Sequence, residues 1–154
     1  MRFHVLTTLF AAALAAGCSN NSPTAVPIEQ TTFASSLGVN LAASTKQPSG
    51  LYYRDITVGT GTTLAAGQTV GMRYVGSFAN GDVFDSNPEP KAIFSFRLGA
   101  GQVIKGWDLG LVGMKVGGRR QLIIPPELGY GTKDAGRIPG NSVLVFTVDA
   151  ISAQ

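Results

Sequence analysis

The chain has 154 residues, of which 44% are hydrophobic and 14% charged, and a formal net charge of +3. That length accommodates one domain and excludes two of ordinary size. The charges are scattered apart from Arg119-Arg120, and no basic run is interleaved with aromatic residues, which argues against a nucleic-acid partner.

Met1-Arg2 supplies a positive start, and Val5 to Ala16 is an apolar run too short to cross a bilayer as a helix. Ala15-Ala16-Gly17 then leads into Cys18. It is the only cysteine, so it forms no intramolecular disulfide. The pattern resembles a bacterial lipoprotein signal, in which residues 1–17 are removed and Cys18 is lipid-modified. It departs at Ala15, where leucine is usual; Leu14 stands one position further back. The alternative is a plain secretory signal, with Cys18 discarded or left as a free thiol. The resemblance implies several acyl chains, which anchor stably where one does not. Ser19 in place of aspartate implies sorting to the outer membrane in enteric-type bacteria.

Residues 19–49 are rich in Ser, Thr, Asn, Ala and Pro and lack sustained periodicity. Such a composition buries too little apolar surface to offset the entropy of ordering. Residues 18–49 are therefore expected to be a lipidated cysteine and a mostly flexible linker, with an average reach of roughly 30 Å. Phe33, Leu37, Val39 and Leu41 either dock on the folded domain or stay solvated.

The globular domain is expected over 50–154. Leu51 to Val58 reads as a strand closed by Gly59-Thr60-Gly61. Val70 to Phe78 alternates as a second strand, and Asn80-Gly81 marks a hairpin because both residues tolerate positive φ. Val83-Phe84 returns, and Asp85-Ser86-Asn87-Pro88 breaks it. Phe94 to Leu98 is the next strand. Gly99 and Gly101 then bend the chain into a short, glycine-weakened helix near Lys105 to Val112, which carries Trp107, the only tryptophan. Arg119 to Ile124 and Val143 to Ile151 are further strands, separated by a long loop over 127–141. The class is α+β: a twisted antiparallel sheet wrapping one short helix.

His4, inside the signal, is the only histidine. The mature chain therefore has no Ser-His-Asp or Cys-His machinery and no histidine- or cysteine-based zinc site. No Walker A pattern is present, and Gly59-Thr60-Gly61 does not continue into a dinucleotide fingerprint. Asp82, Asp85 and Asp108 are not spaced as a general acid/base pair. No metal or cofactor is expected. What remains is a set of aromatic and aliphatic residues at loop and strand ends, the material of an apolar small-ligand pocket. Cis/trans isomerisation of an X-Pro bond suits such a site. Its barrier of about 18–20 kcal/mol is amide resonance, and no covalent bond to the protein is needed.

Four segments, VGMRYVGSFANGDVFDSN, FSFRLGAGQVIKGWDLGLVGMKVGGRR, LIIPPELGYG and IPGNSVLVFTVDAI, resemble the FKBP-type peptidyl-prolyl cis-trans isomerases, in the family's order and over about residues 50 to 152. The resemblance implies a five- or six-stranded antiparallel sheet half-wrapped around one short helix. It implies that Trp107 is the floor under the proline ring and that Tyr74, Phe84, Phe94 and Phe146 are aromatic walls. It further implies that Val103 and Ile104 form an apolar rim, with the Ile104 N–H bonding a substrate carbonyl. Asp85 matches the polar residue near the twisting amide, Tyr130 the tyrosine whose hydroxyl bonds the substrate backbone, and Ile138 a loop contact. Gln102 stands where a glutamate often contacts ligand through its backbone. Pro90 replaces an arginine that often pairs with the pocket aspartate, which leaves the orientation of Asp85 open. The loop from Lys133 to Arg137 is one residue shorter than in small cytosolic relatives. For Trp107 the alternative is ordinary core packing, and for Asp85 a turn cap with Ser86-Asn87. The resulting expectation is a macrolide-sensitive, monomeric isomerase, anchored in the bacterial envelope and facing the periplasm, acting on proline-containing segments of exported proteins. A binding or chaperone module with little turnover, or a structural lipoprotein, are the rivals.

Overall fold

A computed structural model describes residues 25–154. The expected signal segment, 1–17, and Cys18 lie outside the described residues. The strands are β1 (Thr45–Lys46), β2 (Tyr52–Thr57), β3 (Thr69–Phe78), β4 (Val83–Ser86), β5 (Phe94–Arg97), β6 (Arg119–Ile124) and β7 (Leu144–Ala153), with one α-helix, α1 (Lys105–Gly110). They form a single sheet in the order β1-β2-β6-β7-β3-β4, with β5 also paired to β3, and every pairing is antiparallel. The seventh strand beyond the expected five or six is the two-residue β1.

The register sets the two faces. Leu122 pairs with Phe146, Ile123 with Val145 and Ile124 with Leu144. Side chains alternate along a strand. Leu122, Ile124, Leu144, Phe146 and Val148 therefore face inward, into one core with Leu51, Met72, Phe96, Trp107 and Leu111. Helix α1 lies on that face. Its six residues are too few to persist by propensity, so packing holds it. The glycines that weaken it also let it approach: a Cβ at Gly106 would lie 2.6 Å from Ile124 Cγ2, and one at Gly110 would lie 2.7 Å from Leu122 Cδ2.

The outward alternates Ile123, Val143 and Val145 gather a second cluster with Ile28 and Tyr52. Phe33, Leu37, Val39 and Leu41 pack on it. The flexible reading of residues 19–49 therefore does not hold from Ala25 on. The segment forms three short 3-10 turns, Ile28–Gln30, Ser35–Leu37 and Leu41–Ala43, and adds β1 to the sheet. The cause is tertiary. Central strands apolar on both faces need a cover on each side, and this strap supplies the outer one. It is tied by Gln121 Nε2, which donates to the Leu37 carbonyl at 2.7 Å, and by Arg54 Nη2, which donates to the Gly38 carbonyl at 2.8 Å.

Glu29 fastens the start of the strap. Lys46 Nζ stands 2.6 Å from its carboxylate, and the Tyr52 hydroxyl donates to the same oxygen. Those two bonds hold the carboxyl down at about 2, from an ordinary 4.5. A depressed carboxyl pKa contributes stability above its unfolded value that is lost as pH falls through the folded one. The strap is therefore expected to loosen between about pH 4.5 and pH 2. Glu29→Gln should flatten that part of the profile of Tm against pH. An unchanged profile in the variant would show that Glu29 does not carry it.

The turn at Asn80-Gly81 also differs from expectation. Only Gly81 has positive φ, 94°. The Gly81 N–H donates to the Phe78 carbonyl at 3.0 Å, and the Phe78 N–H donates to the Asp82 carbonyl at 2.9 Å. This is the three-residue hairpin in which a glycine ends the turn as a bulge. It lets β4 run on through Asp85 and Ser86, paired with Gly76 and Val75.

Candidate active site

The inner face of the sheet, the start of α1 and the loop before it enclose a cleft of about 480 Å³. Nine of the expected residues line it: Tyr74, Asp85, Phe94, Gln102, Val103, Ile104, Trp107, Tyr130 and Phe146. Gly101 joins them. Phe84 and Ile138, the other two residues expected at the site, stand directly behind this lining. Both are 6% exposed and belong to the core behind the wall. Phe84 backs Phe146 edge-on, with ring centroids 5.5 Å apart at 88°. It lies one layer behind the lining because β4 turns it inward onto that ring.

Trp107 forms the floor and is 3% exposed. Tyr74 and Phe146 meet it edge-on, at 5.1 Å and 5.4 Å and both near 86°. Phe94 stands 6.1 Å away at 79°, and Phe96 lies beneath at 5.7 Å. Such offset and perpendicular contacts add about 0.5–1.5 kcal/mol per pair beyond area burial. The core and floor readings of Trp107 are thus one arrangement: one side of the indole packs and the other faces the cleft. Its Nε1–H finds no acceptor among the described residues.

The polar groups are few. The Tyr74 hydroxyl donates to Asp85 Oδ2 at 2.8 Å. Among the described residues no cation pairs with Asp85, so Tyr74 sets the orientation that Pro90 left open. Burial pushes the Tyr74 phenol far up, and its bond to the Asp85 carboxylate adds to this. Burial and the charge of Asp85 likewise raise Tyr130. Both hydroxyls are therefore protonated donors at neutral pH. Tyr130 is 43% exposed, at the mouth of the cleft. The Ile104 N–H donates to no acceptor among the described residues and is available to a ligand.

Sequence reasoning missed the group that shapes the rim. Asp108 accepts from the Gly99 N–H at 2.8 Å through Oδ1 and from the Gly101 N–H at 2.9 Å through Oδ2. Gly99 and Gly101 adopt φ of 77° and 70°, which glycine alone takes readily. Gln102 folds its side chain back, accepting from the Arg97 N–H at 2.8 Å. The legible signal was an aspartate in the first turn after a glycine-rich loop, a usual acceptor of loop amides.

Beside β4, the loop over 86–92 is held from β3. Arg73 Nη1 donates to the Lys91 carbonyl at 3.0 Å, and Asn87 Nδ2 donates to the Ala92 carbonyl at 2.9 Å.

The family model described as FKBP-type peptidyl-prolyl cis-trans isomerase matches residues 61–151. The chain belongs to this family. It is 54% identical over 111 residues to FK506-binding protein 4 of Rhizopus delemar, covering 71% of this chain and 29% of that one. It is 47% identical over 128 residues to FK506-binding protein 4 of Aspergillus oryzae, covering 83% of this chain and 25% of that one. The chain thus spans under a third of the length of these fungal relatives. Among solved structures, AtFKBP13 superposes with a TM-score of 0.67 at 41% identity, over 72% of this chain and 98% of that one. FkpA from Escherichia coli gives 0.67 at 37%, over 73% and 52%. The antiparallel sheet with its single short helix is the FKBP fold.

Gly76 shows how tightly this FKBP cleft is built. It pairs with Phe146 on one side and Asp85 on the other. A Cβ there would lie 2.6 Å from Phe146 Cε1 and 2.9 Å from Phe84 Cζ. Gly76→Ala is expected to cost about 1–3 kcal/mol by overpacking. Because the displaced ring is the cleft wall, ligand affinity should fall as well. Thermal melting and a Trp107 fluorescence titration with a macrolide would check both; an unchanged titration would show that the wall absorbs the methyl.

Proposed function

We propose that the protein is a peptidyl-prolyl cis-trans isomerase acting on X-Pro bonds of exported polypeptides. The observation that carries this reading is the aromatic cleft itself: apolar walls and floor, one carboxylate, and donors placed at its rim. The planar X-Pro amide is more charge-separated than the twisted one. Moving it from water onto the Trp107 floor disfavours the planar state relative to the twisted state. The Ile104 N–H and the Tyr130 hydroxyl supply hydrogen bonds to the flanking peptide, and these hold the twisted geometry. Asp85, oriented by Tyr74, places a fixed negative charge beside the rotating amide. Nothing is covalently attached and no proton is transferred.

The test is isomerisation of short Xaa-Pro peptides by the full chain, with and without an FKBP-directed macrolide. Macrolide-sensitive turnover is the expected result. Macrolide binding without turnover would favour a binding module, and neither would leave a structural role. Asp85→Ala removes the site's charge and the acceptor of the Tyr74 hydroxyl. A hydrogen bond to a charged group contributes about 1.5–3 kcal/mol, and Asp85 is exposed, so the low end applies. kcat/KM should fall about tenfold. Retained turnover would remove Asp85 from the mechanism.

We also propose an envelope location with Cys18 as lipid anchor, the outer membrane favoured and the domain facing the periplasm. The support is the pattern of residues 1–18. Among the described residues Ile28 is the first docked side chain, and a chain of the length from 19 to 27 reaches at most about 35 Å. Metabolic labelling with radioactive palmitate, comparing the wild type with Cys18→Ser, tests the anchor; equal labelling of both would refute it.

A further inference from the structure

Strand β4 carries two residues of this cleft and its wall on slender support. It is four residues long and lies at the sheet's edge. Among the described residues it pairs only with β3, across an irregularity between Gly76 and Ser77. A short, bulged edge strand opens more readily than a strand paired on both sides. Asp85, and the Phe146 wall that Phe84 backs, nevertheless have to be held to a fraction of an ångström if they are to act on a twisting amide.

Lys91 Nζ, from the loop that follows, donates to the Ser86 carbonyl at the end of β4 at 2.9 Å, and two further supports reach the hairpin from outside its own ladder. Arg137 Nη1 donates to the Phe84 carbonyl at 3.2 Å. On the opposite face the strap grips the hairpin's tip. The Ala34 N–H donates to the Ala79 carbonyl at 2.8 Å. A Cβ at Gly81 would lie 3.1 Å from Ser36 Oγ and 3.2 Å from Ala34 Cβ, so the strap sits directly on the turn. The strap is fixed independently of the hairpin. Leu37 packs on the outer cluster, and the buried Gln121 of β6 holds the Leu37 carbonyl. The rigid centre of the sheet thus holds the strap, and the strap holds the tip of the edge hairpin.

We propose that residues 33–38 are a positioning element for the candidate active site, bracing the hairpin that presents Asp85 to the cleft and sets Phe84 behind its wall. The kinetic consequence rests on the isomerase reading, whereas the mechanical one does not.

Ala34→Pro in the full chain is the sharpest test. Ala34 already has φ −60° and ψ 138°, which a proline ring accepts. Phe33 lies outside any helix, as a residue before proline prefers. The change removes one N–H and pushes a ring carbon towards the Ala79 carbonyl, while Ile28, Phe33 and Leu37 keep their contacts. Gln121→Leu frees the strap at its other anchor without adding a buried polar group. In both variants hydrogen exchange of the amides over 78–87 should speed about tenfold, while those of β6 and β7 stay within twofold of wild type. Isomerisation should lose about fivefold in kcat, with KM unchanged. Hairpin exchange within twofold of wild type in both variants would overturn the proposal, even if Tm fell. So would exchange that speeds equally across β6 and β7, which is the signature of general destabilisation. A wild type without turnover would defeat the isomerase reading and leave the exchange result to decide the brace.

Discussion

Trp107→Ala is expected to lose about 3–4 kcal/mol of stability and about tenfold in affinity for proline peptides. The first figure follows from packing. The indole is 3% exposed and touches four other aromatic rings. Truncating a buried tryptophan costs about 3–5 kcal/mol, the spread reflecting how far the site collapses. Here the void opens into the cleft, where water can enter, so the lower part of the range applies. For a folded unit of this size that lowers Tm by about 12–16 °C. The second figure follows from the floor. A proline ring resting on the indole hides about 50 Å² of apolar surface, or about 1.3 kcal/mol at 25 cal/mol per Å². Trp107→Phe separates the effects: it keeps a flat ring and removes the Nε1–H that has no acceptor among the described residues. It should recover most of the stability and part of the affinity. Calorimetry and peptide titration at 10 °C, where the variants stay folded, would check both. A Trp107→Ala protein within about 1 kcal/mol of wild type would show that the indole is neither core nor floor.

What was legible in the sequence was what repeats along a strand or breaks a pattern. Arg119 to Ile124 and Val143 to Ile151 read as strands because they carry β-branched and aliphatic runs between turn residues, and they are β6 and, from Leu144 on, most of β7. Trp107 stood out as a lone indole where a glycine-rich loop meets a helix. The strap was not legible, because its composition was weighed alone. Its apolar residues are sparse, and they order only because Ile123, Val143 and Val145 need covering. The same runs held the clue, since a strand apolar at consecutive positions buries both faces. Phe84 and Ile138 show that a periodicity names a face but not a depth, since both are buried behind the residues that line the cleft. Asp108 was set aside for lacking a partner carboxylate, yet its partners are two loop amides, which no side-chain motif displays. Gly106 and Gly110 read as weakness in the helix, and only the sheet beneath them reveals them as contact points.

Arg120 makes the same point energetically, and its removal is expected to cost about 3 kcal/mol. In the sequence it is half of an ordinary basic pair. Arg119 does lie at the surface, forked with Asp149 across an exposed ladder pair. Arg120 is turned inward and is 4% exposed. Its Nε and Nη2 donate to the Asp55 carboxylate at 2.7 and 2.9 Å. Its Nη1 donates to the carbonyls of Gly110 and Val112 at 2.8 and 3.2 Å. The guanidinium lies 4.6 Å over the Tyr53 ring. One side chain therefore joins β2 to β6 and supplies the donors that the end of α1 lacks. Breaking a buried pair costs about 3–5 kcal/mol. Asp55 retains 32% exposure and can rehydrate, which sets the low end, while the orphaned carbonyls of Gly110 and Val112 keep the cost from vanishing. Arg120→Met should lower Tm by about 10–12 °C. Arg120→Lys should recover little, because an ammonium cannot fork to a carboxylate and reach two carbonyls at once. Since α1 positions Trp107, peptide affinity should weaken in both before unfolding begins. Urea melts of Arg120→Met, Asp55→Ala and the double variant would measure the coupling directly. Additive losses would mean that the fork contributes nothing beyond its separate parts, and would reduce Arg120 to the helix cap alone.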